Sequence, residues 1–276
     1  MIALPDDARV ILCDVWGVLH DGVAAFPPAL DALDRWRAEG RIVVLLTNAP
    51  RPSVAIARQL DGLGLTKDHY DALVTSGDAG LAFVRERGGA CALIGTARDR
   101  AALAEAGFVP GDAGDEPIVV CTGLDERRRD PADYHEELAR MRARGALLAC
   151  FNPDRVVLHD GAREVCAGAI GDRYAAMGGE VVFTGKPFAP IYARALDLAS
   201  LRLGRLVERG EAIAIGDGIA TDMAGAAREG LRFVFVAAGI ERDEIARVGL
   251  EQVLAEAADA HTLGTARPIL TVEALA

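Results

Sequence analysis

The chain lacks the cysteine pairing that a disulfide framework or a structural zinc site requires. Its five cysteines, Cys13, Cys91, Cys121, Cys150 and Cys166, are odd in number, and none is spaced Cys-x-x-Cys. A net positive charge is lacking too, since 30 Lys and Arg are outnumbered by 41 Asp and Glu. A formal net charge of -11 repels nucleic-acid phosphates at long range, so no nucleic-acid partner is expected. No apolar run is long enough to span a bilayer. The first residues show no basic flank, long apolar stretch or small-residue cleavage site, so no membrane partner and a cytoplasmic address are expected. Two glycine motifs are missing as well. Gly216-Asp217-Gly218 does not complete Gly-x-Gly-x-x-Gly, because position 221 is Thr221. Gly179 and Gly185 stand one residue too far apart for a P-loop, and Pro187 takes the place of its hydroxyl residue.

What is present is a globular composition, with 51% apolar and 26% charged residues over 276 positions. That length suits one large α/β domain or a core carrying a smaller one. Short apolar runs at 10–13, 42–46, 212–215 and 233–236 read as buried parallel strands. The stretches 28–38, 53–60, 189–203 and 221–229 carry apolar residues at helical spacing. This alternation predicts a doubly wound, parallel, Rossmann-like α/β sheet. A second group of the same kind has strands near 91–94, 118–121 and 147–150 and helices near 99–106, 132–144 and 169–177. The expected division is therefore a core of residues 1–77 and 183–276 with a smaller inserted α/β domain, 78–182.

Ligands of open α/β sheets bind outside the carboxyl ends of the strands. Polar residues follow the apolar runs at Asp14, Thr47-Asn48, Gly185-Lys186-Pro187 and Gly216-Asp217. A carboxylate, a hydroxyl, a lysine and a second acidic cluster are sufficient for phosphoryl transfer through an aspartyl-phosphate. Two carboxylates from different strands suit Mg2+, which takes oxygen ligands; Asp14 and Asp217 fit that role.

The ordered motifs resemble those of the haloacid dehalogenase-like hydrolase superfamily. Asp14-Val15-Trp16-Gly17-Val18-Leu19 looks like the first, Leu45-Leu46-Thr47-Asn48 the second, Gly185-Lys186-Pro187 the third, and the segment from Gly216 to Asp222 the fourth. The insertion, with Phe151-Asn152-Pro153-Asp154 inside it, resembles the cap of the subfamily (IIA) that includes nucleotide-, sugar-phosphate and p-nitrophenyl phosphatases. The resemblance implies an Mg2+-dependent hydrolase of small phosphorylated metabolites. Asp14 becomes nucleophile and metal ligand, Thr47 and Lys186 hold phosphoryl oxygens, and Asp217 binds metal. Asp222 orients Lys186 or a metal-bound water. The Trp16 backbone carbonyl becomes a further metal ligand, and Trp16, Gly17, Asn48, Asn152 and Asp154 are expected to line the substrate. A homo-oligomer stays open.

One position departs from the family. Its phosphatases carry a second aspartate two residues after the nucleophile, which protonates the leaving group and then activates water; here that residue is Trp16. An indole donates a hydrogen bond but has no acid–base chemistry near neutral pH. Two alternatives follow: a metal-independent dehalogenase-like hydrolase, or a weakened phosphate- or metabolite-binding protein. His20 and Asp21 are candidate replacements for the missing group, with His159 and Asp160 weaker ones.

Overall fold

The computed structural model describes residues 2–111, 116–159, 162–260 and 266–275. Its strands are β1 Val10–Asp14, β2 Ile42–Thr47, β3 Ala72–Thr75, β4 Ala92–Ile94, β5 Ile118–Cys121, β6 Leu147–Cys150, β7 Val156–His159, β8 Ala162–Val165, β9 Val181–Phe183, β10 Ala212–Gly216, β11 Arg232–Val236 and β12 Leu270–Val272. The chain falls into two compact units. One comprises residues 1–47, 57–74 and 192–276, and the other 48–56 and 75–191.

The first unit is built on a six-stranded sheet of order β12-β11-β10-β1-β2-β3. β1 pairs in parallel with both β2 and β10, and β10 with β11, as continuous apolar strands separated by helices require. Every residue of β1 and β10 is buried. The register pairs Cys13 with Ile215 and Asp14 with Leu46, so Asp14, Thr47 and Gly216-Asp217 reach the same edge of the sheet.

The second unit carries the parallel sheet β4-β5-β6-β9 and the antiparallel hairpin β7-β8. Its core packs Tyr134, Leu138, Met141, Ile170 and Tyr174 against β5 and β6. The sequence pattern put 48–56, 75–77 and 183–191 with the first unit. Backbone and side-chain bonds tie them to the second: the Thr184 N–H donates to the Cys150 carbonyl at 3.1 Å, the Asp78 N–H to the Thr75 hydroxyl at 2.9 Å, and Asp78 accepts the Ser53 backbone N–H at 3.0 Å. Among the described residues no helix is long and apolar enough to cross a membrane.

Candidate active site

Three aspartates dominate the carboxyl edge of the first unit's sheet. Asp14 ends β1 and is 7% exposed; Asp217, just after β10, and Asp222 are each 4% exposed. Their carboxylate oxygens lie within 4.8 Å of one another. Asp222 reaches the cluster because Ile219–Met223 forms a π-helical turn, in which the Asp222 and Met223 N–H groups both donate to the Gly218 carbonyl. Such turns re-aim side chains. The Asp222 carboxylate accepts the Gly218 N–H at 3.2 Å and the Thr221 hydroxyl at 3.0 Å; Asp217 accepts the Ile240 N–H at 2.8 Å.

Backbone glycines make room for these carboxylates. Gly17 has φ +80°, and a Cβ there would collide with the Asp217 carboxylate; a Cβ on Gly216 would collide with Asp222. Gly17, expected to line substrate, therefore has a packing reason of its own. Buried carboxylates this close, all hard oxygen donors, fit a hard divalent cation, and Asp222 joins Asp14 and Asp217 as a candidate ligand. The sequence reading missed that because Asp222 lies five positions beyond Asp217, a spacing an ordinary helix does not bring back to the strand end.

Trp16 lies in the loop after β1 with its indole 41% exposed. His20 and Asp21 are committed to the same loop. Buried His20 accepts the Gly22 N–H on Nδ1 at 2.9 Å, which places the ring proton on Nε2, and burial pushes its pKa down despite Asp21. Asp21 is exposed and accepts the Val23 and Ala24 N–H groups, shaping a turn. Asp160 lies outside the described residues, as does the side chain of His159. Thr47 ends β2 half-buried.

In the second unit, buried Lys186 is held through its backbone. The Asn48 side chain accepts the Lys186 N–H at 2.7 Å and donates to the Lys186 carbonyl at 3.1 Å and to Asp154 Oδ1 at 2.8 Å. Asn152 Oδ1 in turn accepts the Asp154 N–H at 3.1 Å. Gly185 has no room for a Cβ, which would strike Ser76 and Asn48. Asn48, Asn152 and Asp154, expected to touch substrate, thus form one polar network that positions Lys186. Arg128, from the arginine run, is bound to Asp125 and Glu137 and stacks on Tyr134.

A family model described as haloacid dehalogenase-like hydrolase matches residues 11–109, and one described as HAD-hydrolase-like matches residues 183–263. A haloacid dehalogenase-like hydrolase from Brucella suis is 35% identical, with 98% of this chain and 97% of that chain covered and a TM-score of 0.81. The chain belongs to the haloacid dehalogenase-like hydrolase family. Two other solved structures share its fold. A p-nitrophenyl phosphatase from Archaeoglobus fulgidus is 23% identical over 98% of this chain and 97% of that one, TM-score 0.74. A glycerol phosphate phosphatase from Mycobacterium tuberculosis, in complex with magnesium, is 24% identical over 98% and 76%, TM-score 0.68. No curated protein sequence matches the chain.

Proposed function

We propose that this haloacid dehalogenase-like hydrolase is a magnesium-dependent phosphatase of small phosphate monoesters, acting through an aspartyl-phosphate on Asp14. The observation that carries the reading is the buried trio Asp14, Asp217 and Asp222, within 4.8 Å of one another at the ends of β1 and β10. A dehalogenase that needs no metal has no use for three gathered carboxylates. Likeness in fold to p-nitrophenyl and glycerol phosphate phosphatases supports the same class.

In this reading one Asp14 carboxylate oxygen attacks phosphorus, and the bond from phosphorus to the ester oxygen breaks. Water then attacks the acyl phosphate, releasing inorganic phosphate and restoring the carboxylate. The three aspartates and the Trp16 carbonyl would hold magnesium, which would supply charge neutralisation for the phosphoryl oxygens. Lys186 and Thr47 contribute a cation and a hydroxyl to the same oxygens. The leaving alkoxide needs a proton that Trp16 cannot give, so turnover is slow for poor leaving groups.

The test is a panel of phosphate monoesters assayed with and without magnesium, comparing wild type with Asp14→Asn. Phosphate release that depends on magnesium and is lost in the variant is expected. Release that survives Asp14→Asn, or halide release unaffected by chelator, rules the reading out.

A further inference from the structure

At the opposite end of the central strands lies a cleft of about 400 Å³ that the catalytic reading does not use. Its walls come from residues 2–4 together with Asp6, Arg9, Arg35, Glu39 and Arg41. Arg9 and Arg41 immediately precede β1 and β2, and the Ile42 N–H donates to the Arg9 carbonyl at 2.9 Å. Arg35 stands in the last turn of the helix Pro27–Ala38, and the Arg41 N–H donates back to the Trp36 carbonyl at 3.0 Å. Three arginines thus line the cleft, from two strand entrances and one helix end.

Their hydrogen bonding is incomplete. The Arg41 side chain is only 10% exposed; its Nη2 lies 3.4 Å from Glu39, while its Nη1 is buried with no partner among the described residues. Arg35 Nη2 is likewise buried and unpartnered among them. A buried guanidinium nitrogen without an acceptor is costly, and its planar fork matches the paired oxygens of phosphate or carboxylate. Arg9 also acts on the carboxylates of Asp7 and Glu211, so Arg35 and Arg41 are the two arginines of the cleft with a guanidinium nitrogen unmatched among the described residues.

We propose that this cleft is a second ligand site, binding a small oxyanion with phosphate or carboxylate groups on Arg35 and Arg41. It is separate from the aspartate cluster, because Arg9 and Asp14 bracket β1 from its two ends. Tryptophan placement makes it observable. The chain has two tryptophans, Trp16 after β1 and Trp36 beside Arg35, so Trp16→Phe leaves Trp36 as the sole reporter.

Full-length Trp16→Phe protein in chelator is titrated with inorganic phosphate and, separately, with citrate, following Trp36 emission and the thermal midpoint. A saturable response is expected that weakens at least tenfold on adding Arg41→Gln or Arg35→Gln and persists on adding Lys186→Ala. No saturable response to either anion overturns the proposal. So does a response that survives both arginine substitutions, or one abolished by Lys186→Ala. If Arg41→Gln fails to fold, Arg35→Gln decides.

Discussion

At residue 16 an indole stands where the proposed phosphatase mechanism expects an acid–base carboxylate, and in the loop around it His20 and Asp21 are engaged in the turn. General acid–base help contributes about 10²–10⁴-fold. Trp16→Asp should therefore raise kcat for alkyl phosphates by about 10²-fold or more. The gain should be smaller for p-nitrophenyl phosphate, whose leaving group departs without a proton. An equal change in both substrates, read by phosphate release, would show that proton donation is not what Trp16 withholds. Asn48 tests positioning in the same way. It satisfies both backbone groups of Lys186, and leaving buried backbone groups unpaired costs roughly 1–3 kcal/mol. Asn48→Ala should lower both the thermal midpoint and kcat. Asn48→Asp should not rescue, because it keeps the acceptor for the Lys186 N–H but loses the donor to the Lys186 carbonyl and to Asp154. A KM increase alone, with kcat and stability intact, would make Asn48 a substrate contact instead.

At the scale of elements, the short turn Arg209–Glu211 feeds β10, whose end presents Asp217. Glu211 accepts two hydrogen bonds from Arg205, both at 2.7 Å, and this pairing pushes its pKa from 4.5 down to about 2. Because the folded value lies below the unfolded one, the pair contributes stability above pH 4.5, and that contribution is lost as pH falls towards about 2. Glu211→Gln should lower the thermal midpoint slightly at neutral pH and flatten its decline across that window; identical pH profiles would dismiss the pair. The buried strands were legible in the sequence. Ile118–Cys121, Leu147–Cys150 and the helix Ala189–Leu203 match the expected ranges, because apolar runs with sharp polar ends announce themselves. Other elements were not legible. β3 and the hairpin β7-β8 mix polar and apolar residues, and β12 is three residues long, too short for a periodicity to register. In the candidate site, Asp14 and Asp217 follow plain strand ends. Asp222's place beside them depends on a π-turn, and Asn48's grip on Lys186 joins positions 138 residues apart, which no local pattern encodes.

At the scale of the whole molecule, the proposed metal site would couple metal binding to stability. Carboxylates held within 4.8 Å of one another repel wherever more than one is ionised. Hydrogen bonds from Gly218, Thr221 and Ile240 offset part of this, and a divalent cation would turn the repulsion into attraction. Because the unfolded chain does not preserve the cluster, magnesium should raise the thermal midpoint, and more so as its concentration rises above Kd; at a hundredfold excess the linkage is worth about 2.7 kcal/mol. Asp217→Asn should do the reverse in two respects. In chelator its midpoint should equal or exceed that of wild type, since one charge is gone while an oxygen remains to accept the Ile240 N–H. In magnesium its midpoint should move little. A wild-type midpoint indifferent to millimolar magnesium, with Asp217→Asn less stable than wild type in chelator, would mean that the three carboxylates are held by the fold for a structural reason and that the metal reading is wrong.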